Sequence, residues 1–251
     1  MESNNYTGTM GASEASTVQI VLGVTFLILM IIGLMTNATV ILTFRLKHDL
    51  QTPTNILIIG CVICDVLMVL IGFPFVIASC FYGSWLFGQA WCEGYGFITT
   101  FLGVTNICIL SGIALDRYIV VLNLPFARRI TAFKAVMTIL SCAGYGLLWA
   151  TFPLVGWGGF VVEHSGLSCG PDWGNMHQSA RSYNVTILVL VFGFPIGLII
   201  YCYSKILCKV KKYFIVKPYM IFACKFCKPF TLLDNASKVI ALRPYCIVYI
   251  P

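Results

Sequence analysis

The sequence predicts an all-α membrane protein that crosses a bilayer five times, and three observations lead there. Charged residues make up only 10% of the chain and hydrophobic residues 59%, whereas a water-soluble domain carries about 25% charged residues. Five long apolar runs cover residues 18–44, 54–79, 94–122, 135–157 and 183–207. Each reaches the ~20 residues that a helix needs to cross a hydrocarbon core about 30 Å thick. The basic residues gather at alternate ends of these runs. All five runs must be helical, because lipid offers no partner to an unpaired backbone N–H or C=O.

Run one follows a polar segment, residues 1–17, that holds Glu2 and Glu14 but no Lys or Arg. Its length and its lack of a basic leader argue against a cleaved signal peptide. Arg45 and Lys47 follow it, and no basic residue separates runs two and three. Arg117, Arg128, Arg129 and Lys134 follow run three, and only Arg181 lies between runs four and five. Lys205, Lys209, Lys211 and Lys212 mark the end of run five. Basic residues favour the cytosolic side, so residues 1–17 are expected outside as an extracellular tail. The net charge of +7 reads as this bias, not as nucleic-acid binding. The partner implied by the composition is the lipid bilayer. Residues 213–251 differ in texture. "YFIVKPYMIFACKFCKPFTLL" (213–233) is broken by Lys217, Pro218, Lys225, Lys228 and Pro229. A mid-membrane Lys costs about 2.5–3.5 kcal/mol, so this segment is expected to be a cytosolic or poorly ordered tail, not a sixth span.

Within the runs, a few polar residues stand out. Asp65 lies midway along run two, in "GCVICDVLMVL". An acid at that depth is either functional or a neutral, hydrogen-bonded structural group, and Asn37 of run one could supply the bond. Asp116 and Arg117 are adjacent in "GIALDRYIVVLNLP", residues 112–125. Pro195 removes a helical hydrogen bond within run five, which kinks a helix. Of the 12 cysteines, only Cys80, Cys92 and Cys169 lie near the expected external face, where disulfides persist. A Cys92–Cys169 bridge would pin the connection between runs four and five onto the start of run three. Asn5-Tyr6-Thr7 is a glycosylation sequon in the expected extracellular tail, which makes Asn5 the candidate acceptor. No metal cluster, phosphate loop or nucleophile constellation is present, so neither an enzyme nor a metal site is expected.

Taken together, Asn37, Asp65, Cys92, the triplet Asp116-Arg117-Tyr118, Cys169, Pro195 and Tyr203 resemble the rhodopsin-like G-protein-coupled receptors over residues 18–212. The resemblance implies the first five helices of a seven-transmembrane bundle. It also implies that Asp116 and Arg117 hold each other at the inner end of helix three until activation turns Arg117 toward a heterotrimeric G protein. Tyr118 and Tyr203 would belong to the same switch, and a receptor oligomer is a further partner the family allows.

Within that family, "LQTPTN" (50–55), "YGSWLFG" (82–88), "LLWATFPLVGWG" (147–158) and "EHSGLSCGPDW" (163–173) resemble opsins, most nearly the peropsin-like branch. This implies a light receptor, or a retinal photoisomerase, with retinal as cofactor. Glu163 matches the loop carboxylate that serves as counterion in some opsins, and Tyr95 occupies the helix-three position that is Glu in vertebrate visual opsins. Thr100, Gly103 and Phe192 match pocket-lining positions. The departures are equally specific. The retinal-bearing Lys of helix seven has no counterpart, because no Lys lies inside the five runs. The Trp of helix four is replaced by Ala143, and "RPYCIVY" (243–249) only faintly echoes helix six. Helices six and seven are therefore expected to be missing, and covalent retinal attachment cannot be placed. The alternatives are a truncated, non-signalling membrane product that associates with full-length receptor, or a rhodopsin-like receptor for a diffusible ligand.

Overall fold

A computed structural model describes residues 12–47, 52–122, 131–174 and 177–226, with side chains between residues 17 and 211 of these. The chain divides into two units, Met1–Lys209 and Val210–Pro251. Five helices are long and apolar enough to span a membrane. They are α1 (Thr17–Leu46), α2 (Pro53–Tyr82), α3 (Gly88–Leu122), α4 (Ala132–Val155) and α5 (Gln178–Lys211), one for each apolar run. This is a multi-pass membrane protein. Asn5, Arg128 and Arg129 lie outside the described residues.

The five-helix membrane fold is the one the sequence predicts, and three local features add to it. First, β1 (Phe160–Val162) and β2 (Cys169–Pro171) form an antiparallel hairpin between α4 and α5. Strands this short leave no periodic signature. Second, α3 starts at Gly88, so Cys92 lies within the helix and not ahead of it. The polar Gln89 and Glu93 dilute hydropathy there, yet they stabilise the first turns through a Gln89 Nε2–Glu93 Oε1 hydrogen bond of 3.0 Å. Third, residues 213–226 belong to the helix that runs from Phe194 to Phe226.

The helix pattern follows from local chemistry. Thr52 caps α2, accepting from the Asn55 N–H, with Pro53 at the first helical position. Thr131 caps α4 in the same way through the Lys134 N–H. Pro195 deforms α5 as its chemistry demands: a π-helical turn, Leu188–Gly193, lies just before it. A similar turn, Met68–Gly72, precedes Pro74 in α2. Proline removes a donor and crowds the carbonyl four residues earlier, and a widened turn absorbs both defects.

The helix α3 is the axis of the fold. Leu57, Cys61 and Cys64 of α2, Leu102 and Ile109 of α3 and Ala135 of α4 form one buried cluster. Val104 of α3, Trp149 of α4 and Tyr183, Ile187 and Val191 of α5 form a second. Glycines set the approach distances. A Cβ on Gly146 would lie 2.3 Å from Thr105 Oγ1 and 2.8 Å from the Phe101 carbonyl, and one on Gly60 would lie 2.8 Å from Ile139. The most apolar window of α1 is only 6% buried, against 39% for α2. Gln19 tethers α1, donating to the Gly83 carbonyl at 3.0 Å, and Phe26 packs edge-on against Phe73.

Candidate functional site

The hairpin roofs one end of the bundle. The Cys92–Cys169 disulfide joins β2 to α3 with a Cα separation of 5.3 Å, inside the range that a bridge tolerates. Gly96 makes the close approach possible, because a Cβ there would lie 2.5 Å from the Phe160 ring. Trp85 N–H donates to the Gly166 carbonyl at 2.7 Å, and Asn184 Nδ2 donates to the Asp172 carbonyl at 2.7 Å. The roof is thus tied to α3, to the α2–α3 turn and to α5.

Beneath it lies a cavity of about 370 Å³. Tyr95, Thr100 and Gly103 line it from α3, Phe192 from α5 and Glu163 from the hairpin. These five candidates are spread over the sequence, yet the fold brings them to one space. Glycine at 103 keeps the α3 wall low, since nothing lies within 4 Å of a Cβ built there. Phe192 sits on the π-helical turn before Pro195, so the proline defect shapes this wall.

Glu163 is held in place locally. Ser168 Oγ donates to its Oε2 at 2.5 Å, its N–H donates to the Ser168 carbonyl at 2.9 Å, and its own carbonyl accepts from Gly166 N–H at 2.8 Å. A side chain on Gly170 would collide with Glu163 Oε1, so glycine in β2 leaves room for the carboxylate. Among the described residues, no lysine lines the cavity.

The opposite end of the bundle holds the Asp116-Arg117-Tyr118 triplet. The implied pairing of Asp116 with Arg117 is not what the structure shows. Asp116 is buried and accepts from Thr54 Oγ1 of α2 at 2.5 Å, whereas Arg117 is exposed. Adjacent residues on a helix do not face each other, so the two charges diverge. Tyr118 meets Tyr201 of α5 with ring centroids 6.0 Å apart. Tyr203, the residue singled out from the sequence, is exposed like Tyr201, but two helical steps set it roughly 200° round α5 from the ring that meets Tyr118. Lys209 Nζ donates to the Val121 carbonyl at 2.7 Å, capping the carbonyl end of α3 where a cation is favoured.

Midway along the bundle, Asp65 does not pair with Asn37. Asn106 Nδ2 of α3 donates to Asp65 Oδ1 at 2.7 Å, and Asn37 turns back on its own helix to the Gly33 carbonyl at 2.9 Å. Helix α3 is the nearer neighbour of α2 at this depth. Sequence reasoning gave no site role to Thr54, Asn106, Tyr201 or Lys209, the last read only as one of the basic residues that mark the end of run five. Only Asn106 carried a signal, a polar amide in the middle of an apolar run. The other three gain partners purely through packing.

Comparison with known proteins agrees with this architecture. Residues 36–220 match the model for the 7 transmembrane receptor (rhodopsin family). The chain is 33% identical to the human visual pigment-like receptor peropsin, over 72% of its own length and 53% of the relative's. It is 36% identical to human melanopsin, over 72% of this chain and 38% of that one. The crystal structure of squid rhodopsin superposes with a TM-score of 0.74 at 31% identity, covering 84% of this chain and 60% of that one. The chain therefore spans about half the length of the curated peropsin it matches, or less for melanopsin. With its five packed helices and its bridged hairpin, the chain belongs to the rhodopsin family of seven-transmembrane receptors.

Proposed function

We propose that the chain is part of an opsin-type light receptor whose retinoid site is the cavity beneath the hairpin. One observation carries this reading: Tyr95, Thr100, Gly103, Glu163 and Phe192 line a single space. The similarity to peropsin, melanopsin and squid rhodopsin supports it. The cavity fits a polyene in part. Its α3 and α5 walls offer Gly103, Val104, Ile107, Ile187 and Phe192 to an apolar chain, while Tyr95 and Glu163 make one end polar. Its described lining holds no amine, so these residues suit non-covalent retinoid binding, and no imine step is assigned to them. Retinal, when bound, supplies light absorption and isomerisation. The protein's part is to orient the polyene against α3 and to place a carboxylate at its polar end.

The far end would carry the signal. Arg117 is exposed beside the buried Asp116, on the face where Lys205 and Lys209 also lie. A heterotrimeric G protein is the proposed partner there. The hairpin face is then extracellular, an orientation supported by the Lys and Arg distribution. A glycosidase-sensitive mass shift that disappears in Asn5→Gln would agree with that orientation.

Retinoid titration tests the site. The 251-residue chain in lipid nanodiscs is titrated with retinal, and tryptophan emission is followed. The expected result is saturable quenching, because Trp149, Trp157 and Trp173 lie in the walls or directly beside them. Gly103→Leu, which raises the α3 wall, should weaken it. Absence of saturable quenching in a helical, disulfide-intact sample would overturn the proposal.

A further inference from the structure

The α3–α4 interface carries a feature that the ligand cavity does not use. Gly146 of α4 lets Thr105 and the Phe101 carbonyl of α3 come within van der Waals contact. Two turns away, a Cβ on Gly112 of α3 would lie 3.5 Å from Thr138 Cγ2 of α4. These two contacts fix the antiparallel register. Thr105, Cys108 and Gly112 fall on one face of α3, and Gly146, Cys142 and Thr138 on one face of α4, at helical spacing. Cys108 therefore faces Cys142 between the two close contacts.

The thiols lie near enough to interact directly, and both are free and half-buried. They share the lining of an open groove of about 500 Å³ with Lys134, Met137, Thr138, Ser141 and Tyr145. Met137, on its rim, is exposed, so the groove opens on the outer flank of the apolar span α4. By contrast, Cys61 and Cys64 of α2 are buried in the core.

We infer that Cys108 and Cys142 are an oxidisable thiol pair, converted by a membrane-borne organic hydroperoxide into a disulfide that locks α3 to α4. In the first step one sulfur attacks the hydroperoxide, an S–O bond forms, the O–O bond breaks and the thiol proton leaves on the alcohol product. In the second step the other sulfur displaces water from this sulfenic acid, and the S–S bond forms. The two thiols lose two electrons and the hydroperoxide gains them. Glycine at 146 matters because a disulfide requires backbones roughly 4.4–6.8 Å apart at Cα, and large side chains at the crossing would hold the helices apart.

The 251-residue chain in nanodiscs is treated with cumene hydroperoxide, then denatured, labelled with a maleimide and digested. The expected result is a linked peptide containing Cys108 and Cys142, lighter by two hydrogens than its reduced parts. Labelling of both thiols is lost, and a phosphine reductant restores it. In Cys142→Ser the linked peptide is absent and Cys108 becomes reactive to dimedone. The wild-type measurement stands without the variant, should the variant not fold. Unchanged labelling of Cys108 and Cys142 while the exposed Cys208 is oxidised would overturn the inference, as would a bridge from Cys108 to Cys61 or Cys64.

Discussion

Thr54 Oγ1 donates to Asp116 Oδ2 across 2.5 Å, joining α2 to α3 at the end of the bundle opposite the hairpin. The acid is thus held by a neighbouring helix, and its sequence neighbour Arg117 is left free to face outward. Removing the hydroxyl while keeping the shape should expose the cost of an unpaired buried acid, about 1–3 kcal/mol. Thr54→Val should lower the thermal midpoint of the micelle-bound chain, and Thr54→Ser should keep it. Equal midpoints for Val and wild type would mean that this bond contributes nothing to stability.

Asp65 and Asn106 offer a cleaner measure of coupling, since each is the other's side-chain partner. In a double-mutant cycle, Asp65→Leu and Asn106→Leu should each destabilise. The double variant should lose less than the sum, by about 0.5–3 kcal/mol. Strict additivity in chemical denaturation would show that the two groups do not interact.

Gly146 tests the packing of α3 on α4. A methyl group there meets a backbone carbonyl as well as Thr105, so side-chain rotation alone cannot relieve it. Gly146→Ala should destabilise by about 1–3 kcal/mol through overpacking, despite alanine's better helix propensity. Gly144→Ala is the control, because nothing lies within 4 Å of a Cβ at that site; it should be neutral or stabilising. A stabilised Gly146→Ala would contradict the close approach.

The chromophore prediction concerns the amine. Among the described residues, Lys47, Lys134, Lys205 and Lys209 lie at the helix ends opposite the hairpin, and Glu163 lies in the hairpin itself. Retinal added to the 251-residue chain should therefore bind without forming an imine. After borohydride reduction, mass spectrometry should find no retinyl-lysine. A retinyl adduct on any one lysine, abolished by its change to alanine, would show the reading wrong.

Much of the fold was legible because a bilayer simplifies the problem. Asp65 and Asp116 stood out from the sequence because a charge in an apolar run is rare and costly. That Asn106 and Thr54 are their partners could not be read, since the bonds span 41 and 62 residues and depend on which helix faces which. Cys92 and Cys169 could be paired because few cysteines were near the right face. Cys108 and Cys142 could not, because their pairing rests on the register set by Gly112 and Gly146.

Span number, helical form and charge asymmetry were determined by the sequence alone, for a local reason. Each apolar run must satisfy its backbone within itself and be long enough for the hydrocarbon core, so no tertiary information is needed. Glu163, Tyr95 and Phe192 became one cavity only in the tertiary structure. The disulfide and the Gly96–Phe160 contact seat the hairpin on α3, and the π-helical turn before Pro195 shapes the wall that Phe192 occupies. The divergence of Asp116 and Arg117 was likewise decided by helix geometry and the position of α2, because a linear sequence records that two charges are adjacent but not the directions in which they point.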